Sequence, residues 1–382
     1  GLGLGLGVWC LFLFFTHKAY RHLRPLERVR EGISFKRLSI IIATQNSEDF
    51  IEDTLKRLLN SDYPNLQIIV VNDRSQDQTE EIINRVATSN DAITAVHVRE
   101  LPMGWLGKVN ALNEGMKKAK GEFVLLMDGD VQIQGDELKR AVQAMEDRGL
   151  DHLTLMPKIP CSTVFLEQLV LTSQLLFTLS ARPWLASREK PLKCAKGIGP
   201  FNMIRKSFYD QTEGLEWLKM DISDDVAVSH LIVKNGGISH YARAGQGPVF
   251  PWYRDALHMM HGLEKNIYGG FCNYKLSLFF LVAGAASLPV LIPALCLGWA
   301  SSLSLTYFFL FLLFNFIFAL KVRGYIDYSL WRAFFLPLGI MQLNLVMVRA
   351  AFLCHKNQGI FWGGTFYPLK ELRSGLRVRL GL

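Results

Sequence analysis

The chain has 382 residues, half of them hydrophobic and a fifth charged, with a formal net charge of +8. This apolar content excludes a disordered chain, because it supplies enough side chains for a large core. A purely water-soluble protein is excluded too, since residues 276–320 contain no Asp, Glu, Lys or Arg and about 20 apolar residues suffice to cross a bilayer.

Basic residues concentrate beside the apolar segments. Residues 17–37 hold seven Lys and Arg against two Glu, and residues 355–382 hold five against one. Such flanks follow the positive-inside rule and attract anionic lipid headgroups. The charge distribution therefore predicts a membrane as partner and no nucleic acid.

Composition divides the chain into five regions. The first residues are apolar and lack both a basic n-region and a small-residue cleavage site, which favours a truncated anchor over a signal peptide. The predicted regions are an N-terminal membrane anchor (1–16), a basic juxtamembrane linker (17–37), a cytosolic domain (38–274), a C-terminal membrane region (275–353) and a basic cytosolic tail (354–382).

The cytosolic domain opens with strand and helix patterns in alternation. Near-continuous apolar strands between amphipathic helices are typical of a parallel sheet covered on both faces. We therefore predict a doubly wound α/β domain, whose ligands bind at the carboxyl ends of the strands. None of the strand–helix turns carries GxGxxG, which disfavours a dinucleotide-dependent enzyme. The predicted strands are 38–43, 67–72, 93–98 and 122–127, and the predicted helices are 49–60, 78–88 and 108–120.

Asp128 and Asp130 follow the fourth predicted strand. Two carboxylates at the end of a buried strand are costly unless they face a cation or solvent. Mg²⁺ and Mn²⁺ prefer oxygen ligands, and one or two carboxylates plus substrate phosphates are a common site. These residues predict a divalent-cation site, with an exposed turn as the alternative.

Two earlier segments carry polar residues at the same predicted edge. Asp73 ends the second strand, where its carboxylate can accept hydrogen bonds from a base or a ribose. Lys108 follows a glycine-containing loop, residues 101–107, at a helix N-terminus that favours anions. A diphosphate site and a solvated lysine are both compatible with this loop. Asp77 and Thr79 are expected to cap the helix that follows.

Asp224 and Asp225 precede a predicted helix at 226–235. Adjacent carboxylates at this position are either caps favoured by the helix dipole or include a general base whose pKa is adjusted by its neighbour. The residues themselves leave both alternatives open.

The order of these segments resembles that of the family 2 glycosyltransferases. A strand ending at Thr44 is followed by VNDRSQDQT, LPMGWLGK, LLMDGD and SDD, and the resemblance covers nearly all of residues 38–240. The GWxGK element, the single N-terminal anchor and the C-terminal membrane region look most like the lipid-directed branch. That branch includes ceramide glucosyltransferases and the bacterial hopanoid- and carotenoid-pathway transferases.

The resemblance implies a GT-A fold, a nucleotide-sugar donor such as a UDP-hexose, a divalent cation, inversion at the anomeric carbon and a lipid acceptor. Matched by position, the resemblance implies that Thr44 and Asp73 contact the nucleoside, that Lys108 contacts the diphosphate and that Asp128 contacts the donor sugar or ribose. It implies that Asp130 ligates the metal and that Asp225 is the catalytic base. It also implies an acceptor side formed by Gly197 and Gly199, within the segment CAKGIGPFNMIR, and by Asp224 after it.

Two positions depart from the family pattern. Ser47 stands where the first motif usually has an acidic residue, and the QxxRW motif is replaced by HMMHGLEKN. In that replacement, His258, His261 and Lys265 fall on one face of a helix, which we expect to face solvent or lipid headgroups.

Two other functions compete with a lipid-directed transferase. A processive polysaccharide synthase is disfavoured by the missing QxxRW motif and by too few apolar segments to enclose a sugar channel. A catalytically silent scaffold that only binds nucleotide-sugar is disfavoured because all the acidic motif positions are present.

The basic flanks predict a multi-pass protein of the inner membrane whose catalytic domain is cytosolic. We expect spans at 276–299 and 303–320, and a re-entrant or interfacial segment at 333–353 that keeps the tail cytosolic. Residues 162–179 are expected to form an interfacial or core helix, since a span there would place the membrane between Asp130 and Asp225.

Overall fold

The computed structural model describes residues 2–32, 34–182, 196–245, 249–251, 253–297, 302–322 and 335–378. Within them the helices are α1 (Leu2–His22), α2 (Ile51–Leu59), α3 (Thr79–Thr88), α4 (Gly107–Met116), α5 (Glu137–Asp147), α6 (Val164–Ala181), α7 (Lys206–Tyr209), α8 (Asp224–Lys234), α9 (Ala256–Cys272), α10 (Leu276–Leu297), α11 (Ser302–Val322), α12 (Leu336–Asn357) and α13 (Leu369–Gly375), with a 3₁₀ helix at Gly214–Leu218. The strands are β1 (Leu38–Thr44), β2 (Leu66–Asp73), β3 (Ile93–Val98), β4 (Phe123–Asp128), β5 (His152–Met156), β6 (Asn202–Arg205), β7 (Ser239–Arg243), β8 (Gly359–Trp362) and β9 (Thr365–Pro368).

Strands β1 to β7 form one sheet in the order β3-β2-β1-β4-β6-β5-β7. β3, β2, β1 and β4 are parallel neighbours. β6 runs antiparallel to β4 and β5, and β5 pairs in parallel with β7. The prediction of an α/β domain with a mostly parallel sheet is confirmed.

The sheet separates two apolar layers. In β1, Ile41 belongs to one layer, whereas Ile40 and Ile42 belong to the other. Because side chains alternate between the faces of a strand, a continuously apolar strand is stable only where both faces are buried. Helices α4 and α8 cover one face, and α2, α3 and α5 cover the other.

The helix predicted at 108–120 ends earlier than expected, at Met116. The reason is a buried polar contact that the sequence pattern does not reveal. The N–H groups of Lys120 and Gly121 donate to Oγ of Ser39, at 3.2 and 2.8 Å. These bonds replace the next helical turn and direct the chain into β4.

The C-terminal helices pack against one another and against the catalytic domain. α12 lies along α6, α9 and α10, and α1 packs on α11, α10 and α6. Gly339 allows the close approach of α12 to α6, because a Cβ there would lie 2.3 Å from the carbonyl oxygen of Gln168. Among the residues whose side chains the structure describes, α6 and α12 contain a stretch long and apolar enough to cross a membrane, and most of α6 is buried within the protein. Many side chains of α1, α10 and α11 lie outside the described ones, so the anchor and the two spans stay predictions.

One expectation about the C-terminal region requires correction, and another gains detail. The segment expected to be re-entrant at 333–353 is one continuous helix, Leu336–Asn357, so the re-entrant alternative is wrong. Pro337 does not interrupt this helix because it lies in the first turn, where a missing N–H costs little. The residues expected to form a tail fold into the antiparallel hairpin β8–β9 and helix α13, which pack on the catalytic domain.

Candidate active site

The carboxyl ends of β1, β2 and β4 bring three predicted site residues together. Ala43 lies opposite Asp128 in the β1–β4 pairing, and Thr44 lies opposite Asn72, the residue before Asp73. Parallel register thus places Thr44, Asp73 and Asp128 at one edge of the sheet, where α/β proteins bind their ligands.

A cavity of about 480 Å³ opens at this edge and is here called the polar cavity. Small-molecule sites commonly measure about 300–1,000 Å³, so the polar cavity is large enough for one. Residues of the catalytic domain and of the C-terminal region both line it: Thr44, Asp73, Arg74, Lys108, Asp128, Asp130, Tyr253, His258, Lys265, Trp362 and Tyr367.

Asp73 is buried and paired with the residue that follows it. Nε and Nη2 of Arg74 lie 2.8 and 2.9 Å from its two carboxylate oxygens. Arg74 has a φ of +57°, a left-handed conformation that is uncommon outside glycine. Gly107 is required beside this pair, because a Cβ there would lie 2.5 Å from Oδ2 of Asp73. The contact of Asp73 with a nucleoside remains a prediction.

Thr44 contributes a hydroxyl without a partner. Its Oγ1 is buried and forms no hydrogen bond within the described part of the chain. A buried polar atom left unsatisfied costs about 1–3 kcal/mol, and at the wall of a cavity a ligand can supply the missing bond.

Lys108, the second residue of α4, connects β4 to α8. Its Nζ lies 2.7 Å from Oδ1 of Asp128 and 3.4 Å from Oδ2 of Asp224. Burial opposes the charge on this amine, but the carboxylates of Asp128 and Asp224 outweigh it and raise the pKa of Lys108. The amine is therefore protonated at neutral pH, as an anion-binding lysine must be.

Asp130 faces the polar cavity without an ion pair among the described residues. Burial, and after it the charge of Asp128, raises the pKa of Asp130 to about 7. In the same part of the chain, no group of three or more His, Cys, Asp or Glu is placed to hold a metal ion. A cation at this point would depend on Asp128 and Asp130 together with oxygen atoms of a ligand.

Asp225 is fixed by two backbone donors. The N–H of Gly199 donates to Oδ2 at 3.1 Å, and the N–H of Val226 donates to Oδ1 at 2.8 Å. Gly197 and Gly199 are both sterically required here. A Cβ at Gly197 would lie 1.8 Å from the carbonyl oxygen of Asp225, and one at Gly199 would lie 2.5 Å from Oδ2 of Asp128.

Asp225 also has an unusual affinity for protons. Burial raises the pKa of Asp225 to about 7, the charge of Asp224 adds to this effect, and Lys108 opposes it. A carboxyl group that titrates near neutral pH is suited to general base catalysis.

Asp224 is not the N-cap residue of the helix, so the capping alternative does not apply to it. Helix α8 begins at Asp224 itself, and its N-cap residue, Ser223, makes no side-chain capping bond. The helix starts earlier than predicted because the N–H of Ala227 already bonds the carbonyl oxygen of Ser223. Asp224 instead pairs with Lys108.

A second cavity, of about 250 Å³, lies next to the first and is here called the apolar cavity. Its walls are mainly hydrophobic side chains of α6, α9 and α12, including Phe177, Ile267, Phe271 and Leu343, and Asp225 borders it as well. The residues that border both cavities are Lys108, Asp128, Phe250, Tyr253, Lys265 and Trp362.

Sequence analysis missed the contribution of the C-terminal hairpin. The N–H of Gly107 donates to Oη of Tyr367 at 3.0 Å, and Nη1 of Arg74 donates to Oγ1 of Thr365 at 3.2 Å. The available signal was the run IFWGGTFY, in which aromatic residues flank a Gly-Gly pair typical of a β-hairpin turn. That signal predicts a hairpin but not its distant partners.

The helical stripe expected to face solvent or headgroups is divided. His258 and His261 are both exposed, and His258 also borders the polar cavity, with its ring 5.3 Å from that of Tyr253. Nζ of Lys265 lies 4.6 Å from the ring centroid of Trp362. The expectation therefore holds for the two histidines and is wrong for Lys265.

Comparison with known proteins agrees with this fold. Residues 39–211 match the model of glycosyl transferase family 2, which supports a glycosyltransferase fold in this part of the chain. The structure resembles that of the mannosyltransferase PcManGT from Pyrobaculum calidifontis, solved in complex with GDP-Man and Mn²⁺. The TM-score is 0.55 at 17% identity, over 92% of this chain and 96% of the other. This likeness extends the shared fold to the C-terminal helices.

Curated relatives share part of the domain. The chain is 38% identical over 107 residues to the poly-beta-1,6-N-acetyl-D-glucosamine synthase of Staphylococcus epidermidis, which is 28% of this chain and 23% of the relative. It is 29% identical over 133 residues to the synthase of that name from Staphylococcus aureus (strain MSSA476), 34% of this chain and 30% of the relative. The matches thus span less than a third of these relatives. The match of residues 39–211 supports the predicted family, whereas these relatives are named as polysaccharide synthases and not as lipid glycosyltransferases.

Proposed function

We propose that this protein is a membrane-bound, inverting glycosyltransferase that moves a sugar from a nucleotide-sugar donor to a lipid hydroxyl. The observation that carries the proposal is the junction of two cavities at Lys108 and Asp128, with the half-buried Asp225 beside it. The polar cavity is suited to a charged donor and the apolar cavity to a hydrophobic acceptor. The family 2 match of residues 39–211 supports the reaction class.

The donor would bind in the polar cavity. The orphaned hydroxyl of Thr44 and the Asp73–Arg74 pair provide hydrogen-bonding groups for a nucleoside. Lys108 provides positive charge for the diphosphate at the N-terminus of α4, where the helix dipole also favours anions. Asp128 lies between the two cavities, where the transferred sugar would sit.

A divalent cation, Mg²⁺ or Mn²⁺, fits the residues present. Asp130 is a carboxylate facing the cavity without an ion pair in the described chain, and Asp128 shares its strand end. Two carboxylates plus donor phosphates are a common site for such ions. When bound, the ion would stabilise negative charge on the leaving diphosphate. The Mn²⁺ reported for PcManGT is in keeping with this assignment.

Asp225 would act as the base. Its carboxylate accepts the proton of the acceptor hydroxyl while the hydroxyl oxygen bonds to the anomeric carbon. The bond from that carbon to the diphosphate oxygen breaks with its electron pair, releasing a nucleoside diphosphate. The N–H of Gly199 and that of Val226 hold the carboxylate in place throughout. Attack opposite the leaving group inverts the anomeric configuration.

The lipid acceptor is inferred from the walls of the apolar cavity. Phe177, Phe271 and Leu343 belong to three helices next to the predicted membrane spans, and apolar walls favour the burial of an acyl or prenyl chain. The basic flanks favour a position of the domain on the cytosolic side of the inner membrane.

A polysaccharide synthase is the second candidate, and the names of the curated relatives favour it. In that case the acceptor would be the end of a growing glycan. Glycans are hydrophilic, so an apolar cavity beside the base favours the lipid.

The two functions differ in their product. Membranes containing the protein would be incubated with radiolabelled UDP- and GDP-sugars and Mn²⁺, then extracted with butanol. We expect label in a lipid-soluble product, and a loss of about 10²–10⁴-fold in Asp225→Asn, the usual contribution of a general base. Asp210→Asn is the matched control, because Asp210 is exposed and pairs only with Lys206 within the described chain.

Label found in butanol-insoluble glycan would show that the acceptor is a polysaccharide and not a lipid. Equal activity of Asp225→Asn and wild type would refute the base. If the wild type neither transfers the sugar nor hydrolyses the donor, the protein would be a scaffold that only binds nucleotide-sugar.

A further inference from the structure

Lys265 is a cation at the boundary of the two cavities. It lies in the middle of α9, and its side chain borders both the polar and the apolar cavity. The carboxylates of Asp128, Asp224 and Asp225 and the amine of Lys108 act on it electrostatically. It therefore faces the point where the proposed reaction takes place.

Within the described part of the chain, no ion pair neutralises the charge of Lys265. Among the described residues no carboxylate lies within ion-pair distance of its Nζ, although Lys108 has two such partners. The adjacent Glu264 is engaged with Arg349 instead. Burial, and then the charge of Lys108, lowers the pKa of Lys265, and an anion at this position would oppose that shift.

Trp362 holds the lysine in place. Its ring centroid lies 4.6 Å from Nζ of Lys265, within the roughly 6 Å range of a cation–π interaction. This contact attracts the ammonium without using its three hydrogen-bond donors. Those donors remain available to a ligand.

The hairpin that carries Trp362 is fixed to the loops around the polar cavity. Nε2 of Gln45, after β1, donates to the carbonyl oxygen of Gly363 at 3.2 Å. Thr365 accepts from Arg74, after β2, and Tyr367 accepts from the N–H of Gly107. Three loops of the catalytic domain thus position one tryptophan over one lysine.

We propose that Lys265, oriented by Trp362, is a second cation that binds the diphosphate of the donor and of the leaving nucleoside diphosphate. The proposal rests on the proposed function. When the bond to the anomeric carbon breaks, the diphosphate gains one negative charge. Lys108 shares its charge with Asp128 and Asp224, whereas Lys265 can direct its own to the diphosphate.

The test compares nucleoside diphosphate binding with nucleoside binding. Isothermal titration of purified full-length protein with UDP and GDP in Mn²⁺ gives the wild-type affinity, and uridine and guanosine are the references. We expect Lys265→Met to weaken binding of the preferred diphosphate about tenfold or more, as for a lost hydrogen bond to a charged group. The nucleoside affinity should change less than twofold. Lys275→Met, at an exposed lysine just beyond α9, should bind like the wild type.

Conservative variants separate a binding role from a structural one. Lys265→Arg should retain most of the diphosphate affinity, and Trp362→Phe more of it than Trp362→Leu, because phenylalanine keeps an aromatic face. Equal weakening of nucleoside and diphosphate, or unchanged diphosphate binding in a folded Lys265→Met, would overturn the proposal. If the wild type transfers sugar and Lys265→Met binds the diphosphate normally, the role of Lys265 is refuted and the proposed function stands. Lys265-dependent diphosphate binding without sugar transfer would refute the proposed function and leave this site standing.

Discussion

The neighbouring carboxylates Asp224 and Asp225 differ because their partners differ. Asp224 lies 3.4 Å from the ammonium of Lys108, whereas Asp225 accepts only backbone N–H groups at its two oxygens. The pair therefore carries one carboxylate committed to a cation and one that titrates near neutral pH. Both types of environment arise within one turn of α8.

We predict that activity decreases as the pH is lowered, because Asp225 becomes protonated. Its pKa is about 7, and a base works only when deprotonated, so kcat/KM should be constant above this pH and fall about tenfold per pH unit below it. The groups that act on Asp225 are Asp224 and Asp128, which raise its pKa, and Lys108, which lowers it. Asp224→Asn removes one raising charge and should move the acidic limb to lower pH.

The measurement is kcat/KM for the acceptor between pH 5 and 9, in buffers of constant ionic strength. Asp210→Asn should leave the profile in place. An acidic limb that stays fixed in Asp224→Asn, or moves to higher pH, would contradict the assignment of this limb to Asp225.

A second prediction concerns the metal ion. Asp130→Ala should abolish metal-dependent transfer while leaving the fold intact, because Asp130 follows the end of β4 and makes no ion pair in the described chain. Protons compete with the cation for a carboxylate whose pKa is about 7, so more Mn²⁺ should be needed at pH 6 than at pH 8. Turnover against Mn²⁺ concentration, with EDTA and circular dichroism as controls, provides the measurement. Transfer that resists EDTA, or survives in Asp130→Ala, would remove the ion from the mechanism.

Among the helices and strands, some boundaries follow from the local sequence pattern and others from contacts with distant residues. The strand predicted at 93–98 is observed with those bounds as β3, because its β-branched residues Ile93, Thr94, Val96 and Val98 favour an extended conformation without reference to neighbouring strands. The early end of α4 and the early start of α8 depend on contacts with Ser39 and Ser223. Element boundaries set by such contacts are invisible to periodicity.

At the scale of the whole molecule, the C-terminal hairpin bears on membrane topology. β8 and β9 contact loops of the catalytic domain through Gln45, Arg74 and Gly107. The end of α12 therefore lies on the same side of any membrane as the catalytic domain. If the chain before α12 is cytosolic as well, as predicted, α12 begins and ends on one side and lies at the interface.

We predict that a cysteine introduced at Ser374, an exposed residue of α13, is protected from an impermeant thiol reagent in intact cells and labelled after permeabilisation. Ser301→Cys, between the two predicted spans, should be labelled in intact cells. The unmodified chain provides the background from its own cysteines, of which Cys10 is exposed. Efficient labelling of Ser374→Cys in intact cells would place the hairpin and the catalytic domain outside.

The α/β class, the family 2 resemblance and the carboxylates at the strand ends could be read from the amino-acid sequence. These features are written in short segments: an apolar run specifies a buried strand, and a polar residue that ends it marks the ligand-binding edge. The pairing of Asp224 with Lys108, the continuity of α12 and the meeting of Lys265 with Trp362 became visible only in the folded protein. The hairpin that carries Trp362 is held by bonds between residues up to 318 positions apart, as between Gln45 and Gly363. No periodicity records such a pair, because its energy depends on packing that exists only once the chain has folded.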